Sequence, residues 1–213
     1  MAGSLTVGET RRPGRPKQRG PSARWLARRE EIIDTATRLF GERGYVLASL
    51  DDVAAELGTG RASLYHYIDD KAHLLSLIFD RAISATLARM DELSAIGDPE
   101  DRLRGLIEHQ VRTVAGRPAM FAVFFGDRPA LDDQYEQQIR TKERALLRHL
   151  IEAVQAACSA GVIVSEDHRL TAQAILGMTS WTYKWFDPSR DSVDDLVATC
   201  QNLVLSGLST GDA

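Results

Sequence analysis

An all-α fold is predicted, on three observations. Apolar residues recur at three- and four-residue spacing along most of the 213 positions, alternating Val, Ile and Thr stretches are scarce, and Gly and Pro fall in short clusters between the periodic segments. The organisation expected is a flexible basic arm over 1–21, a three-helix domain over 22–70 carrying a helix-turn-helix, and a helical domain over 71–213.

The elements follow in order. Residues 1–21 are rich in Gly, Pro and Arg without apolar spacing. From Trp25 a helix places Ile32, Ile33, Ala36, Leu39 and Phe40 on one face, and Gly44 stops it. Ser49-Leu50-Asp51-Asp52 has the form of a capping box, with Asp52 in the usual Glu position, and opens a short helix that buries Leu50, Val53, Ala54 and Leu57. Gly58-Thr59-Gly60 then separates it from a third helix over 61–67 with Leu64 and Ile68 facing inward. Two short helices joined by so brief a Gly-containing turn are the signature of a helix-turn-helix, whose second helix reads DNA. Asp69-Asp70 caps a long helix from Lys71 to about Leu93. Further helices are expected near 100–115, 118–125, 132–159, 167–186 and 192–207, divided by Gly97-Asp98-Pro99, Gly116, Gly126 to Pro129, Gly161 and Pro188.

Charge and composition narrow the function. The formal charge of −4 conceals a split: residues 1–29 carry eight basic side chains against Glu9, or +7, which leaves −11 for the remainder. A basic end on an acidic protein is the electrostatic footprint of a polyanion, because neutralised phosphates release their counterions. Within the arm, Pro13-Gly14-Arg15-Pro16-Lys17 resembles the core of an AT-hook, so Arg15 either enters a minor groove or belongs to a solvated basic tail. No run reaches the roughly 20 apolar residues of a membrane span and the first residues lack a signal-peptide core, so no membrane partner and a cytoplasmic location are expected. Cys158 and Cys200 lack CxxC spacing and are expected to be reduced and buried. The five histidines form no HxxxH or HExxH motif and no Gly-rich phosphate loop occurs, so catalytic residues, a metal and a cofactor are all expected to be absent.

From Arg28 to Leu75 the chain resembles the N-terminal domain of the TetR family of transcriptional regulators. Carrying the resemblance are Leu39-Phe40, Gly44-Tyr45, Ser49 before Val53-Ala54, Gly58, and Leu64-Tyr65-His66-Tyr67 followed by Lys71. It implies a dimeric repressor that binds a palindromic operator and is released by a small-molecule effector. A recognition helix presents its N-terminal half to base edges, so Arg61, Ala62 and Ser63 are placed to read sequence, with Thr59 and Gly60 beside them in the turn. The resemblance implies that Tyr65 contacts phosphate and that His66 and Tyr67 approach backbone or bases; core packing of the two tyrosines is the alternative. Ser49 and Lys71 match positions that clamp phosphates at helix N-termini. Gly60 stands where relatives commonly have a serine cap and Ala62 where glycine is frequent, so base specificity does not transfer.

In TetR relatives the second domain dimerises and holds the effector. Leu170, Ala174, Gly177 and Met178, with Leu196, Val197, Cys200, Leu203 and Val204, are expected to form the two-fold contact. Residues 177–188 resemble the end of the penultimate helix in the branch that responds to acyl-coenzyme A thioesters. There Trp181 and Trp185, one turn apart, either stack on the ligand or pack the dimer seam, and Lys184 would meet a phosphate. Arg140, Arg144 and Arg148 recur every four residues as a phosphate-binding row or a solvated face. Phe121, Val123, Phe124 and Phe125 line a pocket or fill a core. The readings that remain beside an acyl-thioester effector are a multidrug-type regulator answering to free hydrophobic compounds and a DNA-binding activator or architectural protein.

Overall fold

The computed structural model describes residues 21–126, 131 and 133–207. Arg15 and the AT-hook-like segment lie outside them. All regular structure among the described residues is helical: α1 (Ala23–Arg43), α2 (Leu50–Glu56), α3 (Arg61–Leu64), α4 (Lys71–Ser94), α5 (Pro99–Ala115), α6 (Pro118–Gly126), α7 (Asp133–Ser159), α8 (His168–Ser180), a 3₁₀ turn (Trp181–Lys184) and α9 (Val193–Leu205).

Short polar side chains set most of the boundaries, because the first N–H groups of a helix have no partner within it. Ser22 accepts from the Trp25 N–H at 3.2 Å, Asp70 from His73 at 2.7 Å, Asp98 from Asp101 at 2.9 Å and Asp167 from Leu170 at 2.9 Å. At the far end of α1, Gly44 takes φ +79°, a conformation that side-chain-bearing residues rarely adopt, and its N–H reaches the Phe40 carbonyl at 2.9 Å.

Two helices are shorter than their sequence suggests. The third ends at Leu64, and the segment to Tyr67 is a tighter turn in which the Tyr67 N–H bonds to the Leu64 carbonyl at 2.8 Å. The penultimate helix ends at Ser180 rather than near 186. There the buried Thr179 hydroxyl donates to the Ile175 carbonyl at 2.9 Å and the buried Thr182 hydroxyl to the Thr179 carbonyl at 2.7 Å. Hydroxyls that bond carbonyls of the preceding turn compete with the backbone ladder, and the chain tightens into 3₁₀ geometry.

Two apolar clusters hold the molecule together. The first joins the inward faces of α1, α2 and α3 to the first half of α4, and also takes in Met120, Val123 and Phe124 of α6 and Ile139 of α7. The second is built from the end of α4 with α5, α7, α8 and α9. The expected boundary at residue 70 is therefore crossed by a shared core: Phe79 of α4 meets Phe124 of α6 edge to face at 4.7 Å. Gly41 makes the α1–α6 approach possible, since a Cβ there would sit 3.1 Å from the Ala119 Cβ. Cys200 is buried as expected, whereas Cys158 is only partly covered.

Candidate nucleic-acid interface and effector cavity

The reading segment is held on a buried keel. Leu64 and Ile68 are both 1% exposed and fix α3 in the first cluster, while Arg61, Ala62, Ser63, Tyr65 and His66 face outward. Gly60 caps α3 with no side-chain bond, in an extended conformation that any residue can adopt. Thr59 and Tyr67 are half-buried. Tyr67 lies against Trp25 with ring centroids 5.4 Å apart, and the Trp25 indole N–H donates to the His66 carbonyl at 3.3 Å. Tyr67 thus packs the end of the reading segment onto α1 instead of pointing outward. Trp25 had no site role in the sequence pattern, because a lone half-apolar residue at a helix start carries no spacing signal.

The Arg61 guanidinium is oriented within the subunit. It is paired with Asp51 at 3.0 Å through one terminal nitrogen and donates to the Tyr65 hydroxyl at 3.1 Å through Nε. The bond to Tyr65 and the charge of Asp51 raise its already high pKa. Asp51, at the start of α2, is a partner that the linear pattern did not single out: ten residues separate it from Arg61, and only the turn between the helices brings them together.

Ser49 and Lys71 are committed to internal contacts. The Ser49 Oγ accepts from the Asp52 N–H at 3.1 Å, while Asp52 Oδ2 accepts the Ser49 N–H at 2.7 Å, which completes the expected capping box. The bonds from Ser49 pull the Asp52 carboxyl below the ordinary carboxylate range. The Lys71 ammonium donates to the Tyr45 carbonyl and lies 4.2 Å from the Tyr45 ring centroid and 5.7 Å from that of Phe40. In the free chain both side chains brace the start of α2 and the turn before it, contacts that the expectation of phosphate clamps did not include. A depressed carboxylate adds stability that is present at neutral pH and lost as acid titrates it. Ser49→Ala should accordingly lower the melting temperature by about 2–4 °C near neutral pH. In thermal melts on a pH series the gap to wild type should narrow as the pH falls below the ordinary carboxylate range toward the lowered folded-state value; a gap independent of pH would show that Asp52 takes no part in it.

A cavity of about 1070 Å³ opens in the second domain between α4, α5, α6, α7 and α8. Ala82 and Ile83 of α4 with Met120, Phe121, Phe124 and Phe125 of α6 form its apolar side, and Gln110, Thr113, Gln173 and Ser180 of α5 and α8 its polar side. Helix α7 supplies Arg140 and Arg144. Arg140 pairs with Glu136 at 2.7 Å, and both arginines are exposed.

Five expected effector residues lie outside this lining, of which Val123 is buried in the first cluster. Arg148 continues the α7 row one turn beyond it. Trp181 opens the 3₁₀ turn and Trp185 follows it, so they do not share a regular helix face; they are 59% and 51% exposed. Trp181 packs edge-on against Tyr183 at 6.0 Å, Tyr183 stacks on Phe125 at 5.2 Å, and the Lys184 ammonium lies 5.2 Å from the Tyr183 ring centroid. This cluster backs the cavity wall from outside.

The expected dimer face divides as well. Leu170 is 54% exposed, Ala174, Gly177 and Trp181 follow it as one exposed stripe along α8, and Leu203 of α9 is 59% exposed. Val197, Cys200 and Val204 are instead buried in the subunit's own second cluster. Their apolar character belongs to the α9 face turned toward α5, an assignment that periodicity alone does not make.

Family models match both regions: the model for bacterial regulatory proteins of the tetR family covers residues 32–78, and that for the tetracyclin repressor-like C-terminal domain covers residues 96–208. The chain belongs to the TetR family. Within the TetR family it is 27% identical over 188 residues to an uncharacterised HTH-type transcriptional regulator of Mycobacterium tuberculosis, covering 85% of this chain and 79% of that protein. It is 25% identical over 190 residues to the HTH-type transcriptional repressor KstR2 of Rhodococcus jostii, covering 86% and 92%. Among solved structures, a TetR/AcrR-family regulator from Thermobifida fusca is similar at 30% identity with a TM-score of 0.73, covering 85% of this chain and 98% of that one. AibR, solved in complex with isovaleryl coenzyme A and operator DNA, is similar at 27% identity with a TM-score of 0.76, covering 84% and 98%. The TetR fold accounts for the pairing of a helix-turn-helix with a cavity-bearing helical domain, and no helix among the described residues is long and apolar enough to cross a membrane.

Proposed function

We propose that this TetR-family chain is a transcriptional repressor that binds a partly palindromic operator as a homodimer and leaves it when an acyl-coenzyme A thioester occupies the cavity. The observation that carries the reading is the course of α4. It starts beside the reading segment at Lys71, and its middle residues Ala82, Ile83 and Thr86 wall the cavity. One rigid helix thus touches both sites, and α6 makes a second link, since it lines the cavity and packs on α1. A ligand that fits only a conformation with displaced reading helices weakens DNA binding by its differential affinity for the two states.

Arg61, Ala62 and Ser63 read bases, Tyr65 and His66 stand beside the phosphates, and Thr59 and Gly60 let the backbone approach. The exposed stripe of α8 with Leu203 of α9 forms the two-fold contact, and it includes the small residues Ala174 and Gly177 where helices would cross. The acyl part lies against the α6 phenylalanines. Arg144, which has no ion-pair partner among the described residues, meets phosphate with Arg148 one turn on. AibR, a relative of similar fold bound to isovaleryl coenzyme A, supports the ligand class.

Selection from a random duplex library, followed by release assays, tests the proposal. The recovered site should be a palindrome with half-sites roughly 34–36 Å apart. Isovaleryl- and medium-chain acyl-coenzyme A should release it, and Trp181→Glu should convert the dimer to monomer in light scattering. Release by free hydrophobic drugs alone would replace the thioester by multidrug-type regulation. Failure to retain any duplex at low salt would remove the repressor reading altogether.

A further inference from the structure

Resting on the effector reading above, the geometry points to an effector whose apolar body carries a hydroxyl group, recognised by Gln110. Gln110 sits in the middle of α5 on the polar side of the cavity and is only 4% exposed. Its Nε2 donates to the Ser180 hydroxyl at 3.5 Å, a long bond. Its Oε1 is buried with no hydrogen-bond partner. Almost every buried side-chain oxygen in a folded protein is satisfied, and an unsatisfied one on a residue that lines a cavity becomes an acceptor for whatever fills that cavity once the side chain turns toward it.

The surroundings define what should fill it. Thr113 lines the cavity one helical turn along α5, and Ser180 stands at the end of α8, so the acceptor belongs to a small polar patch. Across the cavity the α4 and α6 walls are aliphatic and aromatic. Thr86, the other buried polar residue of the lining, already donates its hydroxyl to the Ala82 carbonyl at 3.0 Å. A plain saturated chain would bury the Gln110 oxygen without relief. A hydroxyl would donate to it, and a ketone, which has no proton to give, would oppose it. A site with a built acceptor discriminates sharply against the analogue that lacks the matching donor, because the loss is that of a desolvated, unpaired group. The chemistry is that of a hydroxylated acid, met either as a coenzyme A thioester or as the free acid, since Gln110 addresses the body of the ligand and not its head.

Titration calorimetry on the full chain with decanoyl-, 3-hydroxydecanoyl-, 10-hydroxydecanoyl- and 3-oxodecanoyl-coenzyme A, and with decanoic, 3-hydroxydecanoic and 10-hydroxydecanoic acids, tests this. At least one hydroxylated member should bind about ten-fold more tightly than its unhydroxylated parent, and the 3-oxo thioester should bind no better than that parent. In Gln110→Met the hydroxyl advantage should vanish while the parent compound binds as well or better; if that variant does not fold, the wild-type ranking decides. Equal binding of parent and hydroxylated members, preference for the ketone, or an advantage that survives Gln110→Met overturns the proposal and leaves the effector cavity intact. Binding of free acids alone with the hydroxyl ranking preserved removes the thioester and keeps the Gln110 assignment. Failure of all seven compounds to bind removes both readings.

Discussion

Phe124→Ala should lower the stability of the whole protein by about 3–5 kcal/mol, the usual cost of emptying a buried aromatic site. Phe124 is buried against Phe79 of α4, and lies edge-on to Phe125 at 5.1 Å and to Phe121 at 6.3 Å. The same ring lines the cavity, so its removal enlarges the ligand space while loosening the junction of α6 with α4. For a chain of this size the loss corresponds to a fall in melting temperature of about 6–20 °C, readable by calorimetry. Operator binding below the new transition should persist, since α3 rests on Leu64 and Ile68 and not on this ring, but its release by effector should be blunted. A variant that melts within 2 °C of wild type would mean that the junction does not depend on Phe124.

Arg61→Ala should cost about 1–3 kcal/mol of discrimination at one operator base pair, the range for a bidentate contact with guanine. Binding to unrelated duplex should change far less, because the selectivity lies in the base edge and not in the phosphates. Asp51→Asn gives the complementary result. In the free protein the Asp51 carboxylate holds the Arg61 guanidinium at 3.0 Å, and under the proposed reading its negative charge would stand beside the duplex. Its neutralisation should strengthen binding to all sequences at low salt while narrowing the preference for the correct base, because Arg61 loses one of its two orienting partners. Anisotropy titrations with the selected operator and a single-base variant check both. Unchanged preference in Arg61→Ala would dismiss Arg61 as the reader, and unchanged affinity and preference in Asp51→Asn alone would limit Asp51 to a surface ion pair.

Much of the interface was legible in the linear chain, because its signals are local. The capping box at Ser49-Asp52, the stop at Gly44 and the buried pair Leu64 and Ile68 each depend on spacings of a few residues, and each appears where the spacing puts it. What spacing did not convey was how committed Ser49 and Lys71 are to internal partners. A polar residue at a helix start can serve its own helix or a ligand, and the pattern is the same for both.

The effector region was legible only in part. Phe121, Phe124, Phe125, Arg140 and Arg144 line the cavity as anticipated, whereas Trp181, Lys184, Trp185 and Arg148 do not. Spacing alone puts the tryptophans one turn apart on a regular helix, and the threonine hydroxyls that accompany the tighter turn after Ser180 break that register. Gln110 had no signal at all, because one glutamine within an amphipathic helix is indistinguishable from a solvated one until its neighbours are known.

The amino-acid order by itself determined the helical class, the capped starts of most helices, and the outward row Arg61, Ala62 and Ser63, since each follows from interactions among residues within about four positions of one another. The tertiary structure alone decided that Asp51 pairs with Arg61, that α6 belongs to the core of the N-terminal helices, that the α9 valines and Cys200 face inward, and that Gln110 of the cavity lining buries an unpaired oxygen. These depend on which face of each helix meets which neighbour. Helical periodicity specifies that a face is apolar, and only packing specifies what covers it.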